Sequence, residues 1–159
     1  MRVTDQYFWN IIFSAFFIAL ITSGTIILES VPTTSLHDVS PFTFFILALA
    51  TFRLTRLFVY DKITAFFREQ FYDAKVLKTG IILEKPKNGP RRALADLLSC
   101  PWCFGMWAAA MVVFFFEIST YAWYPILMLA LSAVGTLFQI LSNLIGWKAE
   151  QLKKETETL

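Results

Sequence analysis

Cys100-Pro101-Trp102-Cys103 sets two thiols three residues apart, the spacing at which cysteines exchange disulfides or share a metal ion. Proline is favoured at the first position of a helix, where its missing N–H costs nothing. Cys100 is therefore read as a helix cap and Cys103 as the third helical residue. Both thiols then feel the positive end of the helix dipole, which favours thiolate. Three roles remain open: packing and capping, thiol chemistry, or part of a metal site. One CxxC supplies two ligands, whereas structural zinc takes four. Asp96, one turn earlier, is a candidate third ligand, and a homodimer would bring four cysteines together. His37, the only histidine, is predicted on the opposite side of the membrane. No cofactor is required, and zinc is the one ion the motif would suit.

The second chemical feature is a pair of arginines, Arg53 and Arg56, inside an apolar run over residues 42–60. Arg53 falls roughly 16 Å into that run, with Arg56 on the same helical face. An arginine at the centre of a span costs about 2.5–3.5 kcal/mol, so each needs a partner, water or a route to the headgroups. Asp61, Glu69 and Asp96 are candidate acidic partners. Snorkelling with a structural ion pair, or a site for an anion, lipid headgroup or peptide, would each account for the two charges.

These residues need elements to hold them, and composition names the class. Hydrophobic residues make up 57% of the 159 and charged residues 16%, against about 45–50% and about 25% in soluble domains. Seventeen Phe and five Trp exclude a disordered chain, and two Cys exclude a disulfide scaffold. A bilayer core of about 30 Å needs about 20 helical residues. Residues 9–28, 42–60, 101–118 and 121–147 each supply such a run. The first exceeds a signal-peptide core, with no convincing cleavage site after it, and is read as an uncleaved anchor. The predicted fold is all-α: a polytopic membrane protein of four transmembrane helices in a single membrane domain over 1–159.

Charge placement orients it. Lys and Arg number one before the first run, none before the second, eight across residues 61–100, none before the fourth run and three after it. That alternation places both termini and the 61–100 segment in the cytoplasm. Net charge of +2 gives no reason to expect nucleic acid. Within the segment, Ile63, Phe66, Phe67, Phe71 and Ala74 share a helical period, predicting an amphipathic interfacial helix over 62–77. Thr79-Gly80 reads as a turn, 81–83 as a short strand or membrane-dipping loop, and 85–90 as a turn. Eight basic and five acidic residues there make membrane lipids an expected partner. In the last run Ser132, Thr136, Gln139 and Asn143 share a face, with Gly135 beside them, and Gly105 and Ala109 repeat a small-residue step in the third. Such stripes pack helices within a bundle or an oligomer.

The run Leu49-Ala50-Thr51-Phe52-Arg53-Leu54-Thr55-Arg56-Leu57, then Asp61-Lys62-Ile63-Thr64 and Arg68-Glu69, together with Leu97-Leu98-Ser99-Cys100-Pro101-Trp102-Cys103-Phe104-Gly105-Met106-Trp107, resembles a known family. It is similar to the bacterial and phage membrane proteins called domain of unknown function 1360. The likeness spans about residues 45–145, leaving the first run outside it. The resemblance implies a bacterial or phage membrane protein, with members in spore formers and no established activity. Its characteristic positions here are Arg53, Arg56, Asp61, Arg68, Cys100, Cys103, Gly105 and Trp107. Spacing alone would bring Arg53, Arg56, Asp61, Arg68 and the CPWC turn to one membrane boundary as a polar cluster.

The sequence shows no Ser/His/Asp set, phosphate loop or paired acids within a span. The expected function is a non-enzymatic inner-membrane protein that assembles with itself or another membrane protein, phage-encoded or tied to sporulation. A thiol or metal protein at the inner surface, and a small oligomeric channel, are the alternatives.

Overall fold

A computed structural model describes residues 3–30, 39–77 and 80–157. Helix α1 runs over Val3–Ser30, α2 over Pro41–Val59, α5 over Pro101–Ile118 and α6 over Trp123–Glu157. All four are long and apolar enough to cross a membrane, and helices close their backbone hydrogen bonds internally, as a bilayer demands. Between α2 and α5 lie a 3₁₀ turn (Lys62–Thr64), the short α3 (Ala65–Glu69), strands β1 (Asp73–Leu77) and β2 (Gly80–Glu84), and α4 (Pro90–Ser99). His37 and Asp38, read as an outer loop, lie outside the described residues, as do Arg2 and Lys78.

Helix α2 is the hub. Ser40 caps it, its Oγ accepting the Thr43 N–H at 3.2 Å, with Pro41 at the first helical position. Thr51 and Thr55 satisfy their hydroxyls on the Leu47 and Thr51 carbonyls of the same helix. One buried cluster joins Ile46, Leu47 and Ala50 to Val112 of α5 and to Ile126 and Ala130 of α6. A second joins Val59 to Leu98 of α4 and to Phe104 and Ala108 of α5. Helix α1 stands apart: none of its described side chains is buried. It meets α5 through Phe16 and Phe17, whose rings lie 6.2 and 4.7 Å from that of Trp107.

The helix expected over 62–77 is largely absent. Helical structure ends at Glu69, and Asp73–Leu77 instead pairs antiparallel with Gly80–Glu84, from Asp73 opposite Glu84 to Leu77 opposite Gly80. Arg91 of α4 supplies the reason. Its guanidinium donates to the Gln70 and Tyr72 carbonyls at 3.0 and 3.4 Å and pairs with Asp73 at 3.2 Å. A continuing helix would have given those carbonyls to residues 74 and 76. The β-branched content of Val76, Ile81 and Ile82 then favours strands, and a Lys75–Glu84 ion pair bridges them. The return to helix uses Gly89 at φ +93°, a conformation open to glycine, followed by Pro90 as first residue of α4.

Candidate functional site

Arg53, Asp61 and Arg68 of the sequence motifs meet at the C-terminal end of α2. Four carbonyls at the C-terminus of any helix lack an internal donor. Here the following segment supplies donors. Arg68 reaches back from α3, its Nη1 donating to the Phe58 carbonyl at 2.8 Å and to that of Asp61 at 3.2 Å. The Thr64 hydroxyl bonds the Leu57 carbonyl and, at 3.1 Å, that of Asp61. A cation at this end also opposes the negative pole of the helix dipole. The chain is thereby folded back onto α2, and the Phe58 ring packs against Phe67 of α3 and Phe104 of α5 at 6.2 and 5.2 Å.

Arg53 closes the same clasp from inside the membrane-spanning part of α2. Its Nη2 meets Asp61 Oδ2 at 2.9 Å and its Nε donates to Ser132 Oγ of α6 at 2.8 Å. Of the three acids open as partners, the structure selects Asp61. Both charged side chains are mostly shielded, 19% and 27% exposed, so the pair is a partly desolvated one. Arg56 does not join them. Its guanidinium lies over the rings of Phe52 and Tyr60, at 5.9 and 5.1 Å, one turn away on either side. Cation–π attraction takes the place of an acidic partner, while the buried Arg56 Nε has no hydrogen bond.

The CPWC turn is built as the proline requires. A residue before proline is pushed out of the helical region, and Cys100 is extended at φ −110°, ψ 107° between α4 and α5. Its Sγ caps α5 by accepting the Cys103 N–H at 3.3 Å. The Cys103 thiol and backbone N–H hold the Cys100 thiol below its ordinary range, outweighing the opposing effect of burial. Cys100 is half-buried and Cys103 exposed.

Asp96 is not a ligand in waiting. Its two oxygens accept from Lys85 Nζ and Arg92 Nε, each at 2.8 Å. Lys85 also donates to Ser99 at 2.6 Å, and Arg92 to the Pro86 carbonyl at 3.2 Å. Burial works against the Asp96 charge, but the Lys85 and Arg92 hydrogen bonds prevail and hold its carboxyl below the usual value. Among the described residues no three of His, Cys, Asp and Glu come together as a metal-binding set. Asp96, the candidate third ligand, is engaged by Lys85 and Arg92 in an ion-pair network. The roles of Lys85 and Arg91 are not signalled by spacing, because each acts on groups well separated from it along the chain, Asp96 and Ser99 for Lys85 and Gln70, Tyr72 and Asp73 for Arg91.

The small-residue and polar stripes divide. Gly105 faces Thr55 of α2, and Ala108 beside Ala109 is fully buried. Of the α6 stripe only Ser132 has a partner on another helix. Thr136 bonds the Ser132 carbonyl at 2.8 Å and Gln139 donates to Asn143 at 3.3 Å, both within α6. A side chain added at Gly135 would meet nothing within 4 Å. On α5, Glu117 is buried with one carboxylate oxygen unpartnered.

The clasp and the CPWC turn fall within residues 46–142, which match the family described as Protein of unknown function (DUF1360). The chain belongs to this family. Among DUF1360-related proteins, UPF0713 protein YngL of Bacillus subtilis (strain 168) is 42% identical over 72 residues, covering 44% of this chain and 54% of the relative. Sporulation protein YjcA of the same strain is 37% identical over 78 residues, covering 45% of this chain and 64% of the relative. The chain therefore spans between half and two thirds of the length of these curated relatives. No solved structure matches. Helix α1 lies outside the family match.

Proposed function

We propose that this DUF1360 protein is a non-enzymatic component of a bacterial cytoplasmic membrane, working by assembly with a second copy or another membrane protein. The observation that carries this reading is the state of α6 beyond Ala133. From Val134 to Thr156 every position except the half-buried Thr136 is exposed. Lipid can cover Phe138, Leu141 and Ile145 there. Hydrocarbon offers no hydrogen bond to the amides of Gln139 and Asn143, which among the described residues bond each other at 3.3 Å. Polar side chains in such a setting are satisfied across helix–helix contacts. The basic loop and tail favour cytoplasmic termini, and exposed Ile63, Phe66 and Trp102 suit contact with membrane lipid. A role in sporulation is proposed on the likeness to the relative that carries that name.

Labelled protein reconstituted in vesicles at increasing protein-to-lipid ratio tests the assembly. Energy transfer between copies, or co-purification of one membrane partner at fixed stoichiometry, is expected, and Gln139→Leu with Asn143→Leu abolishes it. A chain that stays monomeric and alone at every ratio rejects the reading. Deletion in a spore-forming host, with spore counts against the parent, tests the sporulation role.

A further inference from the structure

We infer that Cys100 and Cys103 form a dithiol centre that exchanges with a substrate disulfide at the membrane boundary, closing to a disulfide of their own. Three observations outside the assembly reading converge on it. First, capping does not call for sulfur. Ser, Thr, Asp and Asn are the preferred caps, and a thiol is a weak acceptor, yet Cys100 holds the cap of α5. Second, Cys103 is exposed, although a cysteine kept for packing is among the most buried residue types. Third, Cys100 Sγ lies 3.3 Å from the Cys103 backbone nitrogen and accepts from the Cys103 thiol as well, so the cap folds over the third residue of α5 and the two sulfurs are neighbours. Thiols already in hydrogen-bond contact need only a small adjustment of the cap to reach disulfide geometry.

The Cys100 thiolate attacks one sulfur of a substrate R–S–S–R′, forming a Cys100–S–S–R mixed disulfide and releasing R′–S⁻, which takes up a proton. The Cys103 thiol gives its proton to solvent and its sulfur attacks Cys100 Sγ, expelling R–S⁻. Two protein thiols are oxidised by two electrons and one substrate disulfide is reduced to two thiols. The substrate class is an accessible disulfide, carried by a small molecule or by a peptide. Lys85 and Asp96, whose charges act on Cys100 and Cys103 respectively, pair with each other at 2.8 Å.

The reduced full-length protein in detergent is treated in separate arms with glutathione disulfide and with a disulfide-bonded peptide, then with a maleimide. Two labels per chain before oxidation and none after are expected, restored by dithiothreitol, with the faster arm naming the source of substrate. Cys103→Ser is expected to stop at a mixed disulfide on Cys100, whereas Cys100→Ser accumulates at least tenfold less adduct on Cys103. The Cys100→Ser chain should keep its fold, since serine is a better cap, and helicity and melting verify this. Two labels persisting after oxidation, equal adducts on both single variants, or labelling blocked until a chelator strips one metal ion per two chains would each overturn the proposal.

Discussion

Two groups of polar residues meet opposite fates in this chain. At the junction of α2 and α5, Arg53, Asp61, Thr64 and Arg68 reach across to other elements, and each bond closes a gap left by a helix end or a buried charge. Along α6 beyond Ala133, Thr136, Gln139 and Asn143 bond only within their own helix. The first group holds one chain together. The second is unused by that chain, and this separates residues that serve folding from residues available to serve contact.

The largest effect is expected at Asp61. Asp61→Ala leaves the Arg53 guanidinium with Ser132 alone, in a partly desolvated position. Removing one partner of a fully buried pair costs about 3–5 kcal/mol, and with both side chains partly exposed about 2–3 kcal/mol is expected here, read as a lowered midpoint in detergent unfolding. Replacing Arg53 and Asp61 together with leucine should recover most of that loss, since the cost lies in the orphaned charge. A loss under about 1 kcal/mol for Asp61→Ala would show the clasp to be decoration.

Arg68→Ala comes next. It strips the donor from the Phe58 and Asp61 carbonyls, and hydrogen bonds to charged groups contribute about 1.5–3 kcal/mol each way they are counted. The fold-back after α2 should loosen, seen as faster amide exchange over the 3₁₀ turn and α3 while α6 is unchanged. Equal loosening of both regions would contradict the division.

How much of this was legible beforehand depends on the distance over which each residue acts. The four apolar helices followed from length and composition, because the bilayer leaves the backbone no other solution. Cys100 as cap and Pro101 as first helical residue followed from one local rule. The grouping of Arg53, Asp61 and Arg68 was also visible, since one helix end fixes their depth. Arg56 was misplaced with them: sharing a face with Arg53 did not reveal that Phe52 and Tyr60 would hold it. The second strand agrees with one of the two readings of 81–83, whereas the first strand over 73–77 is read as helix because Phe66, Phe67, Phe71 and Ala74 keep a helical period. What overrides them is Arg91, about twenty residues away, taking two backbone carbonyls. Likewise Asp96 looked free to bind a metal until Lys85 arrived from the hairpin.

A third, smaller test concerns that hairpin anchor. The Asp96 carboxyl is held below its unfolded value, so its contribution to stability is fully present above about pH 4 and is lost as pH falls through the depressed folded value. At 40% side-chain exposure the pair is well screened, and the effect should stay near or below about 1 kcal/mol. Asp96→Asn should remove that part of the acid dependence while leaving neutral-pH melting only slightly lower.

The smallest expected effect tests the other side of the comparison. Gln139→Leu with Asn143→Leu deletes one hydrogen bond, which lies within α6. Leucine is at least as good a helix former as either residue, and both positions are exposed. Monomer stability in dilute micelles should therefore change by no more than about 0.5 kcal/mol. Measured at high protein-to-lipid ratio the same variant should lose its association, because the groups removed are those that lipid cannot satisfy. The two readings must separate: a fall in monomer stability would mean α6 folds against the bundle in a way its exposure does not show. An unchanged monomer with unchanged association would place the contact on another face, and α1, which has no buried side chain among its described residues, is the next helix to vary.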